Sequence, residues 1–113
     1  MSLPDSLADE RDFRSQVANT LASLIAQIDA IESDDLDARL SEGNLAVGFE
    51  SGGTFVLSQQ TPTRELWLSA NLRAWHFLFV GGQWLERDTR EPLTALLSRL
   101  LSEKLQLPVR LDL

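Results

Sequence analysis

Apolar residues in the first third of the chain recur with the period of an α-helix. Their spacings of 4, 4, 3, 4 and 3 residues predict one amphipathic helix from about Asp9 to Ile31. Acidic residues in its first turn favour this start, because they complement the helix dipole. The polar residues 32–35 end the pattern. The stripe consists of Phe13, Val17, Leu21, Leu24, Ile28 and Ile31.

From Leu36 to Arg87 the apolar period falls to two, which is typical of half-buried β-strands. Short turns separate these strands, and Gly81-Gly82 has the form of a two-residue hairpin turn. Consecutive strands joined by short turns pair antiparallel, so the segment is predicted to be a meander with one face covered. The alternating residues are Leu36, Ala38 and Leu40; Leu45, Val47 and Phe49; Phe55 and Leu57; Leu66 and Leu68; and Trp75, Phe77 and Phe79.

A second helical stripe follows the strands. Six leucines from Leu93 to Leu105 share one helix face, Pro92 stands at a favoured first-turn position, and Pro108 ends the pattern. Two amphipathic helices flanking a sheet predict an α+β fold, a two-layer sandwich. We expect residues 1–8 to be a disordered lead-in and residues 9–113 to form a single domain.

Charge and composition narrow the chemistry that the chain can perform. Ten Lys and Arg against 17 Asp and Glu give a formal net charge of -7, which repels nucleic acid and suits cations or basic proteins. No cysteine is present, which excludes a disulfide, a thiolate metal site and a cysteine-ligated iron–sulfur cluster. Because His76 is the one histidine, any metal must be held by oxygen ligands.

Neither catalysis nor a membrane is indicated by the motifs. The chain has no nucleophile elbow and no phosphate-binding glycine loop, since its two Gly-Gly pairs fall in hairpin turns. We therefore do not expect an enzyme. The N-terminal residues lack the features of a signal sequence, and no apolar run approaches about 18 residues, so we expect a cytoplasmic protein.

A long motif across four predicted elements resembles the frataxin family. The family pattern Gln-x-Pro-x-x-x-x-Trp-Leu-(Ser/Ala) is met by Gln60, Pro62, Trp67, Leu68 and Ser69, within VLSQQTPTRELWLS. Downstream, WHF (Trp75 to Phe77) is similar to the family's pair of a histidine or arginine followed by an aromatic residue. GGQWLERD is similar to the family's Gly-x-x-Trp-x-x-x-Asp hairpin, and the leucine-rich helix follows it. The chain is thus identified as resembling the bacterial frataxins.

The resemblance implies a more specific fold and a function. In frataxins both helices pack on one face of an antiparallel sheet, and the opposite face is exposed. The family binds ferrous or ferric iron at an acidic ridge and docks on a cysteine desulfurase and its iron–sulfur scaffold protein, whose sulfur transfer it modulates. For this chain the resemblance implies an iron-binding regulator of iron–sulfur cluster assembly, which we expect to be a monomer.

The family's ridge corresponds to an acidic segment, residues 29–37. Adjacent mobile carboxylates would hold iron, Fe2+ or Fe3+, only weakly and labilely; the alternative is a solvated helix end and loop. Ile25, Ala26 and Arg39 stand where bacterial relatives usually carry acids. The predicted iron ligands are Asp29, Glu32, Asp34, Asp35 and Asp37.

Strand alternation also predicts a protein-binding face. If Leu66 and Leu68 point into the core, Trp67 points to the uncovered side of the sheet, and His76 takes the same side between two core aromatics. A tryptophan on such a face is a typical interface anchor, or else it is capped by neighbours such as Gln60. The predicted partner-binding residues are Trp67, Gln60, His76 and Gln59.

Two other functions agree with the same composition and fold class, and two turns depart from the family pattern. Secretion-type chaperones are also small, acidic α+β proteins, and they normally form dimers; a frataxin fold could also keep a protein partner without binding iron. The turn Ala70–Arg73 lacks the glycine that frataxins carry there, and Asp88-Thr89-Arg90 replaces their Asp-Gly turn.

Overall fold

The computed structural model describes residues 9–113, so the predicted lead-in at residues 1–8 lies outside the described residues. No helix within residues 9–113 is long and apolar enough to cross a membrane. The elements are α1 (Glu10–Asp29), β1 (Leu36–Ser41), β2 (Asn44–Phe49), β3 (Thr54–Gln60), β4 (Glu65–Ala70), β5 (Arg73–Val80), β6 (Gln83–Glu86) and α2 (Leu93–Leu105). A single 3-10 turn, Thr61–Thr63, connects β3 to β4.

The six strands form one antiparallel sheet in the order β1-β2-β3-β4-β5-β6, which confirms the predicted meander. Its register aligns Leu57 with Leu68 and Leu68 with Trp75, so apolar residues from neighbouring strands share one face. The buried stripes of α1 and α2 belong to the same hydrophobic core as that face. Both helices therefore cover one side of the sheet, and the predicted two-layer α+β sandwich is confirmed.

Helix α1 begins and ends through specific backbone contacts. Asp9 caps it, because its carboxylate accepts the N–H groups of Arg11 at 2.8 Å and Asp12 at 3.3 Å. The helix ends at Asp29 and not at Ile31, since the last N–H groups donate to carbonyls three residues back and tighten the final turn. Ile31 nevertheless packs against the core, which explains why it continued the apolar stripe.

Helix α2 begins one residue later than its proline suggested. Pro92 has extended backbone angles and is the N-cap, so the first helical residue is Leu93. The helix ends when Gln106 adopts the left-handed conformation at φ 56°, before the predicted stop at Pro108. Five of the six predicted leucines are buried, and Leu105 is partly buried against the core.

The C-terminal tail, residues 106–113, crosses both helices without regular structure of its own. Serines of α2 accept its backbone N–H groups: Ser102 that of Val109 and Ser98 that of Leu111, each at 2.9 Å. Gln27 of α1 accepts the N–H group of Asp112 at 2.9 Å. These contacts bury Leu111 in the core.

The turns that lack the family's glycine still adopt left-handed backbone conformations. Asn71 and Leu72, between β4 and β5, have φ values of 52° and 63°, and Arg90 has a φ of 66°. Asparagine tolerates this conformation, but a residue such as leucine costs about 1–2 kcal/mol there. The short connection between β4 and β5 and the one between β6 and α2 impose these angles, so both turns form without glycine.

The core assignment predicts a large effect of Leu24→Ala. Leu24 is fully buried in α1, so we expect the free energy of unfolding to fall by about 2–5 kcal/mol, measured by urea denaturation followed by circular dichroism. Leu72→Ala makes the same chemical change at a fully exposed turn and should alter stability by less than about 0.5 kcal/mol. Similar losses in the two variants would contradict the assignment.

Candidate docking face and acidic segment

The sheet face turned away from the helices, the outer face, carries Trp67 and His76. Because Leu66 and Leu68 are buried in the core, Trp67 lies on the opposite side of β4. The register pairs Trp67 with His76, and their rings stack with centroids 4.5 Å apart and planes 28° apart. The predicted common face of these two residues is confirmed.

Trp67 is half-buried, which is less exposed than alternation alone suggested. His76 covers one face of its ring, and its indole Nε1–H donates to Oε1 of Glu65 at 2.9 Å. Neighbours thus cap part of the ring, as one of the two predicted alternatives expected. The residues that cap it are His76 and Glu65, whereas Gln60 was the expected example. The uncovered part of the indole remains accessible in the middle of the outer face.

The two predicted glutamines lie on opposite faces. Gln60 is paired with Glu65 on the outer face and donates to Oγ of Ser58 at 3.4 Å. Gln59 is paired with the core residue Leu66 and donates to Oγ1 of Thr61 at 3.0 Å. The period of two places Gln59 with the core-facing residues of β3, on the face opposite to Trp67, and its role in partner binding stays a prediction.

A buried carboxylate, Glu65, lies beneath this surface. Its side chain is only 6% exposed, and its Oε2 lies 3.6 Å from Nη1 of Arg87. Arg87 follows β6 and is held beside His76, because its backbone N–H donates to the His76 carbonyl at 2.7 Å. Trp67, Glu65, His76 and Arg87 thus form a connected cluster, which we call the Trp67 cluster.

Apolar side chains surround the Trp67 cluster. Leu78 of β5 is paired with both Glu65 and Leu85, so one row of residues crosses three strands. The half-buried apolar residues of the outer face are Ala46, Val56, Leu78, Val80 and Leu85. Since nothing in residues 9–113 packs over these side chains as the helices do on the other face, the surface combines apolar area with hydrogen-bonded polar groups.

A second buried carboxylate, Glu86, lies on the core side of β6. Its Oε1 accepts the N–H groups of Asp88 at 2.7 Å and Thr89 at 3.0 Å, and its Oε2 accepts that of His76 at 3.0 Å. Burial acts to raise the pKa of Glu86, but these N–H groups and the charge of Arg87 outweigh it and hold the pKa below its ordinary value. Glu86 thereby connects β5 to the loop before α2 through hydrogen bonds to both.

The acidic segment, residues 29–37, has no converging arrangement of carboxylates. Asp35 is engaged by Ser51, whose N–H and hydroxyl donate to its two oxygens at 2.8 and 2.9 Å. Asp37 forms an ion pair with Arg39 at 3.0 Å. Within residues 9–113, no three acidic or histidine side chains form a group able to hold a metal ion. The other predicted ligands, all exposed, are Asp29, Glu32 and Asp34.

Comparison with known proteins identifies the family. Residues 6–107 match the frataxin-like domain. The chain belongs to the frataxin family. The iron–sulfur cluster assembly protein CyaY of Pseudomonas aeruginosa is 40% identical over 80 residues, covering 67% of this chain and 74% of the relative. CyaY of Azotobacter vinelandii is 40% identical over 81 residues, covering 68% and 74%.

Solved frataxin structures share the fold. Frataxin from Psychromonas ingrahamii superposes with a TM-score of 0.83 at 19% identity, covering 93% of this chain and 99% of that one. Trimeric yeast frataxin with its full-length N-terminus gives a TM-score of 0.67 at 23% identity, covering 94% and 86%. Membership of the frataxin family decides against the secretion-type chaperone as an alternative.

Sequence reasoning missed Glu65 and Arg87, although two signals could have found them. Glu65 is two residues before Trp67, so alternation places it on the same face. Counting back from the two-residue turn Gly81-Gly82 aligns Arg87 with His76. The burial of Glu65 has no such signal, because it depends on side chains from three strands.

The contacts of Glu86 predict a pH-dependent contribution to stability. Its folded-state pKa is below the unfolded value, so it stabilises the fold above the ordinary glutamate pKa, and this contribution is lost as pH falls through the folded-state pKa. We expect Glu86→Gln to cost about 1–3 kcal/mol at neutral pH, since it disrupts buried acceptors.

Urea denaturation of wild type and Glu86→Gln at a series of pH values tests this expectation. The stability difference should shrink at acid pH, where the wild-type carboxyl also becomes neutral. Glu103→Gln removes the same charge from an exposed residue of α2 and should show little difference throughout. A difference between wild type and Glu86→Gln that does not vary with pH would contradict the electrostatic argument.

Proposed function

We propose that this frataxin is an accessory protein of iron–sulfur cluster assembly that docks through its outer face on a cysteine desulfurase and its scaffold protein. It acts in the cytoplasm as a monomer and regulates these partners without a catalytic centre of its own. The names of its relatives support the pathway. The observation that supports the docking surface is the half-buried Trp67, stacked on His76 in the middle of an uncovered sheet face.

The outer face has the composition of a protein interface. A large aromatic residue lies at its centre, half-buried aliphatic residues surround that residue, and its indole N–H and the Glu65 carboxylate are already paired. Burying such a surface gains apolar contact while these two groups keep their partners. Trp67 is the residue best suited to anchor a partner, because tryptophan is enriched among residues that dominate binding energy.

The negative charge of the chain complements a basic partner. The formal net charge is -7, and the acidic segment leads into β1, the edge strand of the sheet. Exposed charges at the rim of an interface accelerate encounter with an oppositely charged protein and are screened by salt. In this proposal the acidic segment steers the partner, and Trp67 determines how long it stays bound.

The docking proposal predicts that Trp67→Ala weakens partner binding by at least about tenfold, as expected for an interface anchor. The loss of the Glu65 hydrogen bond should lower the free energy of unfolding by about 1.5–3 kcal/mol, because the acceptor is a charged group. Titration of the purified desulfurase–scaffold complex with each variant measures the dissociation constant.

Trp75→Ala provides the matched control, because Trp75 is also half-buried but lies on the helix-covered side of the sheet. It should leave the dissociation constant unchanged when both variants are folded by circular dichroism. If Trp67→Ala binds as tightly as wild type, the outer face is not the docking surface.

Iron is the proposed cargo and not a resident cofactor. Support comes from the exposed carboxylates of the acidic segment and from the description of a related yeast frataxin as complexed with ferrous iron. That structure has a TM-score of 0.58 at 23% identity and covers 94% of this chain and 93% of that one. Hydrated, mobile carboxylates suit weak and labile binding of Fe2+ or Fe3+.

A second candidate is an adaptor that keeps the docking face and does not bind iron. The observations that favour it are the pairing of Asp37 with Arg39 and the commitment of Asp35 to Ser51. Both carboxylates already have a partner, and the positive charge of Arg39 beside Asp37 opposes the approach of a cation.

The iron hypothesis predicts that Arg39→Glu tightens Fe2+ binding. The substitution releases Asp37 from its ion pair and replaces a positive charge by a negative one. Anaerobic titration with Fe2+, followed by amide NMR, should show changes confined to residues 29–37 and a lower dissociation constant for the variant. Added salt should weaken Fe2+ binding to the wild type and to the variant.

Arg110→Glu makes the same charge change at an exposed residue of the C-terminal tail and serves as the control. It should leave the affinity for Fe2+ unchanged. Shifts spread evenly over the acidic residues, or equal effects of the two variants, would favour the adaptor without iron.

A further inference from the structure

We propose that Glu65 is a positioning residue of the docking face, whose carboxylate fixes the Trp67 indole in the orientation that the protein partner recognises. The inference rests on the proposed docking of the outer face. It concerns a residue that acts through Trp67, and it assigns to Glu65 no contact of its own with the partner.

The first step of the argument is the number of restraints on the indole. Stacking on His76, with ring centroids 4.5 Å apart, fixes the plane of the indole. It would also permit a 180° flip of the indole that keeps this plane and moves Nε1 to the other side. The bond from Nε1–H to Oε1 of Glu65, at 2.9 Å, distinguishes the two orientations. A hydrogen bond to a carboxylate is stronger than one between neutral groups, so it favours the observed orientation.

The second step is that Glu65 itself cannot move freely. Its side chain is 6% exposed, and the sheet places Gln60 and Leu78 directly beside it on the neighbouring strands. Its charge is compensated by Arg87, whose Nη1 lies 3.6 Å from Oε2. A buried carboxylate that lost its partners would cost free energy. The cluster therefore holds the Glu65 carboxylate, which accepts the indole N–H, in place.

The third step connects this rigidity with affinity. A partner that binds an already oriented tryptophan does not have to restrict the rotation of the side chain on binding. Without the carboxylate the indole samples more than one orientation, and only a fraction of molecules presents the correct surface. We expect loss of this hydrogen bond to weaken binding by roughly three- to tenfold.

The experiment is a double-mutant cycle between positions 65 and 67. Glu65→Leu removes the acceptor, Glu65→Gln keeps an amide oxygen in its place, and Trp67→Phe removes the indole N–H. Binding of each folded variant to the purified cysteine desulfurase–scaffold complex is measured by calorimetry. Glu65→Leu alone should weaken binding, whereas Glu65→Gln should retain most of the wild-type affinity. In the Trp67→Phe background, adding Glu65→Leu should have no further effect on binding.

The indole N–H resonances provide a readout that does not require the partner. In a 1H–15N spectrum the Trp67 signal, assigned from its absence in Trp67→Phe, should move in Glu65→Leu towards the position of a solvated indole. The Trp84 indole donates to Oγ1 of the buried Thr20 at 2.9 Å and is the internal control. Its signal should stay in place, and a shift in both would indicate a general structural change and overturn the positioning role.

The possible results separate this inference from the docking proposal. If Trp67→Ala does not weaken binding, the docking proposal itself fails. If Trp67→Ala weakens binding and Glu65→Leu does not, only the positioning role is overturned. An equal effect of Glu65→Leu in the Trp67→Phe background would also overturn it, since Glu65 would then act on the partner directly. Should Glu65→Leu fail to fold, Trp67→Phe decides, because it removes the N–H that Glu65 accepts: binding as tight as that of wild type overturns the role.

Discussion

Two helices cover one face of the sheet, and this cover determines what the other face can display. Side chains alternate along every strand, so each residue that packs beneath α1 or α2 obliges its neighbours to lie on the outer face. Burial of Leu66 and Leu68 thus places Trp67 on the outer face, and burial of Phe77 does the same for His76. The stability of the core and the arrangement of the outer face are consequences of the same register.

Two carboxylates are buried within this framework, and each serves a different layer. Glu86 lies on the core side and is satisfied by three backbone N–H groups, so it stabilises the connection between β5, β6 and α2. Glu65 lies on the outer side and is satisfied by the Trp67 indole and the Arg87 guanidinium. A buried carboxylate costs free energy unless it is paired, so each one restricts the groups around it. Glu86 restricts the backbone, and Glu65 restricts the side chain of Trp67.

The acidic segment and the outer face differ in how many contacts hold their side chains in place. The Trp67 cluster is connected by a ring stack, a hydrogen bond and an ion pair, and its residues belong to β4, to β5 and to the position after β6. The carboxylates of residues 29–37 lie at a helix end, in a loop and on an edge strand, where Arg39 and Ser51 already engage two of them. A rigid surface suits recognition of a protein, whereas a loose set of exposed charges suits electrostatic steering or transient contact with a cation.

The sequence by itself determined the elements, their order, the α+β sandwich and the shared face of Trp67 and His76, because these follow from local periodicity and turn composition. Read strictly, the same alternation would also have placed Gln59 on the core side and Glu65 beside Trp67. Only the tertiary structure decided that Glu65 is buried, that Arg87 compensates its charge and that Asp35 and Asp37 are engaged by other residues. It also decided that Asn71 and Leu72 adopt left-handed angles without glycine. These features depend on distances between side chains and backbone from separate segments, which a periodic pattern along one chain does not encode.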